Sequence, residues 1–286
     1  MLLTLETLDG PLTRLGSIRS AASCPIPAGN SSFAPADVTG HGTGRRLGSV
    51  EHVAELEYRQ WRFRRPPGST ELFLVRHGES EPAVPGRAFP LVDGHGDPAL
   101  APEGREQAER VADRLADQDI SALYVTTLRR TTETAAPLAK RLGLTPVVEP
   151  ELREVHLGEW EGGLFRERTA EGHPLARRIL AEERWDVIPG AEPHDAFVAR
   201  VRDALARIVA AHPDERVAVF SHGGVIGQLM SQAVGGGRSF AFVGCDNGSI
   251  SHLVAIADGW VVRRFNDTAH LDEGFDLDPR PDLPEG

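Results

Sequence analysis

Residues 71–80, which read ELFLVRHGES, place an arginine, a histidine and a glycine directly after a short apolar run. Residues 72–75 suit a strand that is buried on both faces, so this strand should end where Arg76 and His77 begin a loop. The guanidinium of Arg76 is a planar fork of donors suited to phosphate, and the His77 imidazole offers a nucleophile or an acid-base group. Gly78 lets the backbone approach a ligand closely. Alone, the tripeptide is equally consistent with an incidental basic pair at a strand end.

Three other side chains of compatible chemistry each follow a later predicted strand: Arg130, Glu154 and His222. The carboxyl ends of parallel strands meet at one edge of a sheet, which is where ligands bind. Helix N-termini, whose free N–H groups favour anions, are predicted beside Arg130 and His222. Taken singly, each group is more simply a solvated helix residue, a charged loop residue or a helix cap. Their convergence with Arg76 and His77 predicts a pocket for a phosphoryl group.

Strand and helix alternate through most of residues 70–235, which predicts a layered α/β domain with a largely parallel central sheet. The predicted strands cover residues 72–75, 122–125, 146–149, 216–221, 249–256 and 260–265. Helices are predicted to begin at Pro102, to cover residues 129–142, 174–184 and 194–211, and to begin again after His222. Within the second helix, Pro137 is expected to kink or divide it and Gly143 to end it.

Composition divides the chain into three parts. Residues 1–69 have no sustained apolar period and are predicted to be a disordered or loosely packed N-terminal extension, with one short helix at residues 51–63. Residues 70–270 are predicted to form the folded domain. Residues 271–286 are acidic and contain proline, so we expect a solvated C-terminal tail.

The overall charge and cysteine content exclude several classes of protein. A net charge of −11 argues against a nucleic-acid-binding surface and against general adhesion to membranes. No apolar run approaches the length of a membrane span, and the N-terminus lacks the pattern of a signal peptide. Two distant cysteines, Cys24 and Cys245, fit a reducing compartment better than a disulfide framework. We therefore expect a cytoplasmic protein whose partner is a small molecule, and its oligomeric state is not predicted.

Five segments, in order, resemble the motifs of the histidine phosphatase superfamily, which includes the cofactor-dependent phosphoglycerate mutases. They are residues 76–80, 96–108, 126–135, 152–162 and 221–224. In the third segment, the resemblance places the family's arginine at Arg130 rather than Arg129. The resemblance covers roughly residues 71–265. It implies a three-layer sandwich of the phosphoglycerate mutase type, with a mostly parallel central sheet flanked by helices, and makes residues 70–270 a histidine phosphatase domain.

The resemblance also implies a mechanism. His77 would attack phosphorus to form a phosphohistidine, while its other ring nitrogen donates to the Gly78 carbonyl. Glu154 would protonate the leaving oxygen and then activate the water that cleaves the phosphohistidine. The residues implied to hold the phosphoryl group are Arg76, Arg130, His222 and Gly223. No metal and no cofactor are implied, because the arginines would do the work that magnesium does elsewhere.

Three functions stay open: a phosphomonoesterase acting on a small metabolite, a mutase that returns the phosphoryl group to a reoriented product, and a binding module without turnover. Mutases of this family carry a longer, lysine-bearing stretch after the glutamate. Here Gly158 and residues 160–162 follow closely, and no lysine follows Lys140. The sequence therefore favours hydrolysis.

The substrate-side contacts are the least defined part of the resemblance. After Ser80 the usual asparagine is missing, and Ala101 stands where a serine or threonine would cap a helix, at a cost of about 1 kcal/mol. The glycine- and proline-rich loop of residues 81–98 is a candidate specificity element, with His95 as a candidate contact. Four arginines are candidates for binding a second anionic group, although a solvated helical face is the simpler interpretation: Arg166, Arg168, Arg177 and Arg178.

Overall fold

The structure, a computed structural model, describes residues 60, 62–236, 238 and 240–271. Its elements, in chain order, are β1 (Thr70–Arg76), β2 (Leu91–Val92), β3 (His95–Gly96), α1 (Pro102–Leu115), β4 (Ala122–Val125), α2 (Arg129–Leu142), β5 (Val147–Val148), α3 (Leu164–Ala170), α4 (Pro174–Glu182), α5 (His194–Ala211), β6 (Arg216–Ser221), α6 (Gly223–Ala233), β7 (Ile250–Ile256) and β8 (Gly259–Asp267). Two short 3₁₀ segments, Pro150–Leu152 and Gly158–Trp160, lie between β5 and α3.

One six-stranded sheet organises the domain, in the order β5-β4-β6-β1-β7-β8. The first four of these strands are parallel, and β7 and β8 extend the sheet in antiparallel fashion. The prediction of a mainly parallel sheet is confirmed. β1 lies between β6 and β7, so both of its edges are hydrogen-bonded, and the side chains of residues 72–75 are buried, as the apolar run predicts.

Alternate residues of β1 face two separate layers of helices. Leu72 and Leu74 belong to a core that includes side chains of α5 and α6. Phe73 and Val75 belong to a second core, which includes side chains of α1 and α2. This alternation follows from the period of two along a strand. Helices therefore cover both faces of the sheet, which confirms the three-layer sandwich.

Two features of the fold differ from the sequence predictions. The helix α2 ends at Leu142 and is capped by Gly143, whose φ of +65° is left-handed as expected; of the two effects predicted for Pro137, a kink or a division, division is wrong, since α2 runs through it. One missing N–H costs one hydrogen bond of the ladder, while Ala135 and Leu138, before and after Pro137, remain packed in the core. The second difference is that α3 and the small β2–β3 hairpin were not predicted, because these segments are too short to show a period.

Other predictions concern parts of the chain that the structure does not describe. The N-terminal extension of residues 1–69 and the helix at residues 51–63 lie mostly outside the described residues, and the acidic tail lies almost entirely outside them. These stay predictions. Among the helices that the structure describes, none is long and apolar enough to cross a membrane.

Candidate active site

The carboxyl ends of β1 and β6 lie side by side and place two histidines next to each other. Arg76 pairs in register with Ser221, and the His77 amide donates to the Ser221 carbonyl at 3.0 Å. His77 and His222, each following its strand, have ring centroids 5.2 Å apart. The sheet edge predicted from the sequence thus exists, and neighbouring parallel strands bring both imidazoles to it.

A cleft of about 690 Å³ opens at this edge. Its wall includes five of the six residues that the sequence predicted for the site: Arg76, His77, Arg130, Glu154 and Gly223. The sixth, His222, is 0% exposed and lies behind this wall, in edge-on contact with His77. All six residues therefore gather at one place, although His222 is more deeply buried than a pocket-lining residue.

The ring of His77 is held as a neutral imidazole in one orientation. Its Nδ1 lies 2.8 Å from the Gly78 carbonyl oxygen, which can only accept, so Nδ1 carries the proton and Nε2 keeps a lone pair. Burial lowers the pKa of His77 well below its ordinary value, and the charges of Arg130 and Arg76 lower it further. Asn247 fixes the backbone by donating to the His77 carbonyl at 2.9 Å. The result is an oriented nitrogen nucleophile.

The turn after His77 depends on glycine at two positions. A Cβ on residue 78 would lie 2.4 Å from the Gly104 carbonyl oxygen, and a Cβ on residue 104 would lie 2.0 Å from the Glu79 carbonyl oxygen. Both neighbours are backbone atoms that cannot rotate away, so only glycine fits. The Gly78 amide also donates to the Thr134 hydroxyl at 3.0 Å. The first turn of α1 and the α2 helix thus fix the loop that carries His77.

Two guanidiniums reach the cleft from different strand ends. Arg130, 8% exposed in the first turn of α2, donates from Nη1 to the Gly96 carbonyl at 2.9 Å. Burial lowers its pKa to about 10, against the raising effect of Glu154 and Asp97, so it stays protonated at neutral pH. Arg76 donates from Nη1 to the Cys245 carbonyl. Both side chains are anchored to backbone oxygens, which positions their remaining donors.

His222 is a neutral imidazole with one nitrogen occupied. Its Nε2 lies 3.1 Å from the Thr126 hydroxyl, whereas its Nδ1 has no hydrogen-bond partner among the described residues. Burial lowers the pKa of His222 well below its ordinary value, and the charge of Arg130 adds to this effect. A buried nitrogen without a partner is costly, so it is a candidate contact for a ligand.

The carboxyl of Glu154 is held by the start of α6. Its Oε2 accepts from the Gly224 amide at 3.1 Å, and its Oε1 accepts from the Val155 amide at 2.9 Å. A Cβ on residue 224 would lie 2.5 Å from Glu154 Oε1. Gly224 therefore both binds the carboxyl and leaves the space that it occupies. The neighbouring Gly223 lies against the guanidinium of Arg76.

Sequence reasoning missed several residues that support the site. Thr126, Asn247 and Gly224 each make a hydrogen bond to a candidate catalytic residue, yet a lone Thr, Asn or Gly gives no signal of this in sequence. The four arginines considered for a second anion are separated by the structure. Arg166 lines the cleft, whereas Arg178 pairs with Glu182 at 2.8 Å on an exposed helix face, and neither Arg168 nor Arg177 lines the cleft.

The chain matches a known protein family over most of its folded domain. The sequence profile of the histidine phosphatase superfamily (branch 1) matches residues 72–268. Phosphoglycerate mutase-like protein 4 of Arabidopsis thaliana is 36% identical over 210 residues, which cover 72% of this chain and 89% of that protein. The metal-independent phosphoserine phosphatase of the same plant is 32% identical over 225 residues, which cover 74% of this chain and 90% of that protein.

A solved structure supports the same relationship. A mycobacterial glucosyl-3-phosphoglycerate phosphatase has a TM-score of 0.59 and 28% identity to this chain, over 70% of this chain and 100% of that one. The same phosphatase has been solved in complex with VO3 and with inorganic phosphate. The sequence motifs, the fold and these matches agree: the chain is an enzyme of the histidine phosphatase superfamily, whose fold supports phosphatase or mutase activity.

Proposed function

We propose that this protein is a phosphomonoesterase that hydrolyses a small phosphorylated metabolite through a phosphohistidine on His77. The observation that carries the proposal is the state of His77. Its Nδ1 proton is committed to the Gly78 carbonyl, and burial beside two guanidiniums keeps the ring neutral. A neutral, oriented Nε2 lone pair between fixed positive charges is what attack on a phosphoryl group requires.

In the first step, Nε2 of His77 attacks phosphorus and forms an N–P bond while the bond to the leaving oxygen breaks. Glu154 gives its proton to that oxygen, and the alcohol leaves. The guanidiniums of Arg76 and Arg130 hold the charge that moves onto the other phosphoryl oxygens. The Gly223 end of α6 lines the cleft beside the same anion, and His222, behind the wall and in edge-on contact with His77, supports it from there.

In the second step, a water molecule attacks the phosphohistidine. Glu154, now a carboxylate, accepts a proton from this water as the new P–O bond forms. The N–P bond breaks, inorganic phosphate leaves, and His77 is neutral again. Positive charge in both steps comes from Arg76 and Arg130, so we propose that the reaction needs no metal and no cofactor. The charge and cysteine content support a cytoplasmic location.

Hydrolysis is favoured over phosphoryl transfer to a second substrate. After Glu154 the sequence reaches Gly158 and residues 160–162 directly, without the longer, lysine-bearing stretch that mutases of this family carry. Lysine is absent from the sequence after Lys140. Relatives carry both kinds of name, phosphatase and mutase-like, so 3-phosphoglycerate must be tested for both products.

The proposal is tested by substituting His77 and Glu154. We expect His77→Ala to lower kcat/KM for p-nitrophenyl phosphate by about 10³-fold or more, because the nucleophile is removed. Glu154→Gln keeps the shape of the side chain but cannot activate water. For a substrate with a good leaving group, this variant should accumulate a phosphoenzyme, which mass spectrometry of the intact protein detects. The double variant, with His77→Ala and Glu154→Gln together, should form none.

The controls separate chemistry from folding and from metal catalysis. Thermal unfolding of each variant should remain cooperative, and EDTA should leave the wild-type rate unchanged. Vanadate should inhibit, as a mimic of the five-coordinate phosphorus. Retained turnover by His77→Ala, or loss of wild-type activity on chelation, would contradict the mechanism. Formation of 2-phosphoglycerate from 3-phosphoglycerate without free phosphate would make the protein a mutase instead.

A further inference from the structure

The cleft extends well beyond the groups that would hold phosphate. Apart from those groups, its lining includes four aromatic side chains and one threonine, here named the distal wall: Phe89, Trp160, Phe165, Thr169 and Trp185. The rings are contiguous, since the centroid of Phe165 lies 6.2 Å from that of Trp160 and 5.9 Å from that of Trp185. Phe89 joins this group through its backbone contact with Gly162, just before α3.

The volume of the cleft calls for a substrate with a body of some size. About 690 Å³ lies within the range of pockets that enclose drug-sized ligands, roughly 300–1,000 Å³. A phosphoryl group fills only the end near His77. The lining of the remainder includes the aromatic side chains of the distal wall, and aromatic faces attract the C–H groups of a ring packed against them.

Thr169 provides a polar group in the distal wall that has no partner. It is 5% exposed, and its hydroxyl makes no hydrogen bond to any described residue. On α3 it lies one turn after Phe165, so the two side chains share a face of the helix. A buried hydroxyl without a partner is unfavourable unless a ligand pairs with it.

His95 provides a second unpartnered group in the cleft wall, and its chemistry is more specific. Its Nδ1 lies 3.1 Å from the Asp93 carbonyl oxygen and must donate to it, so Nε2 is a lone-pair acceptor. This Nε2 is buried and has no partner among the described residues. Burial lowers the pKa of His95, which keeps the ring neutral. Such an acceptor needs an O–H or N–H from the ligand, which a carboxylate or a second phosphate cannot supply.

The charges near the distal wall also disfavour a second anion. Arg166 is the cation there, and its guanidinium donates to the Ser80 hydroxyl at 2.7 Å and to the Glu81 carbonyl at 3.0 Å. These bonds hold the loop after β1 against α3. Three acidic side chains line the same part of the cleft, Glu161, Glu167 and Glu171, of which Glu171 pairs at 3.0 Å with Arg168 outside the lining. Like charges of this kind oppose an anionic substituent on the substrate.

We propose that the cleft selects phosphomonoesters whose body is a neutral, hydroxyl-bearing ring, the chemistry of a monosaccharide phosphate. The distal wall packs against the C–H face of the ring, and Thr169 and His95 pair with its hydroxyls. This inference rests on the proposed function and names its substrate class. It separates this protein from enzymes whose substrates carry a carboxylate beside the phosphate.

The first experiment compares kcat/KM for five substrates of the full-length wild-type enzyme. Glucose 6-phosphate is the neutral hydroxylated ring, phenyl phosphate is a ring without hydroxyls, and glycerol 3-phosphate has hydroxyls without a ring. Phosphoserine and 3-phosphoglycerate carry a carboxylate. We expect glucose 6-phosphate to exceed glycerol 3-phosphate and both carboxylates by about tenfold or more, equivalent to one or two hydrogen bonds and a packed ring.

The second experiment substitutes Thr169. Thr169→Val keeps the shape and removes the hydroxyl, so kcat/KM for glucose 6-phosphate should fall about three- to tenfold. Turnover of phenyl phosphate should not fall, because that ring offers the hydroxyl no partner and packs at least as well against a valine. Thr169→Ser is the matched control: it keeps the hydroxyl and should retain most of the activity on glucose 6-phosphate. The fold is not at risk, because the valine replaces an unpartnered polar group.

The outcomes distinguish this inference from the proposed function. A preference for either carboxylate substrate, or equal rates for glucose 6-phosphate and glycerol 3-phosphate, would overturn the inference and leave the phosphatase activity intact. Equal losses on glucose 6-phosphate and phenyl phosphate in Thr169→Val would assign the threonine a structural role and also overturn it. If no phosphomonoester is hydrolysed by the wild type, the proposed function fails as well.

Discussion

The two ends of the cleft are built in opposite ways. At the phosphate end, each group follows a strand of the central sheet or opens a helix behind it, and backbone contacts at Gly78 and Gly104 allow no side chain there. At the distal wall, the short helix α3 and adjoining loops carry aromatic rings, and the Thr169 hydroxyl has no partner among the described residues. A rigid sheet edge suits chemistry common to all phosphate esters, whereas loops suit the part of the substrate that differs.

The largest effect that tests this comparison comes from Arg130. We expect Arg130→Ala to lower kcat/KM by about 10²- to 10³-fold for every phosphomonoester, because it removes a fixed positive charge where negative charge develops. The loss should be uniform across glucose 6-phosphate, phenyl phosphate and glycerol 3-phosphate. Steady-state kinetics on the three substrates measures it.

A matched arginine provides the control for that substitution. Arg178 is exposed on α4, where it pairs with Glu182, and Arg178→Ala should leave all three rates within about twofold of wild type. A loss in Arg130→Ala that varied tenfold between substrates would break the comparison, since the phosphate end would then contribute to selectivity.

The second prediction concerns pH and the buried imidazoles. The pKa values of His77 and His222 are lowered in the folded protein, mainly by burial, whereas the unfolded chain has pKa values near 6.5. Below pH 6.5 the unfolded state therefore binds protons that the folded state does not, and stability falls as pH falls. Each histidine should cost about 1.4 kcal/mol per pH unit below 6.5, until its folded pKa is reached.

Urea unfolding at pH 7.5 and pH 5.5 measures this effect in the wild type and in His77→Asn. The variant should lose about 1.4 kcal/mol less than the wild type between the two values, because one buried imidazole has gone. An identical loss in both proteins would mean that His77 protonates freely while folded. The neutral nucleophile at the phosphate end would then have no support.

The sequence predicted the phosphate end because that end is encoded in regular elements. The strand at residues 216–221 and the helix at residues 194–211 were predicted with the bounds that the structure has, since the strand is a continuous apolar run and the helix repeats apolar residues at a fixed period. Chemically compatible residues directly after such strands, such as His77 and His222, must meet at one sheet edge. Their position follows from topology, so side-chain detail is not needed to predict it.

The distal wall could not be predicted in the same way. The helix α3 spans Leu164–Ala170, too short for a period to stand out, and Phe165 and Thr169 gain meaning only from what they face. Sequence also gave no sign that His222 lies behind the cleft wall, because its burial depends on neighbours distant in sequence, such as Thr126 and His77. Residue type does not distinguish Arg166 from Arg178, but Arg166 lines the cleft and Arg178 is exposed to solvent.

The smallest effect tests how the first turn of α1 is fixed beside the His77 loop. Ala101 is the N-cap of α1 and makes no side-chain cap, although its φ of −66° and ψ of 167° suit one. Its amide donates to the Glu79 carbonyl at 2.9 Å, next to the close contact at Gly104.

Ala101→Ser should add a hydrogen bond to a free amide of the first turn and stabilise the protein by about 1 kcal/mol, raising Tm by roughly 2–4 °C. Its kcat/KM should stay within about twofold for both ring and non-ring substrates, because the loop geometry is already set by backbone contacts. Destabilisation by the serine would instead mean that the packed site at Ala101 has no room for a hydroxyl, and that α1 is positioned by that packing rather than by its cap.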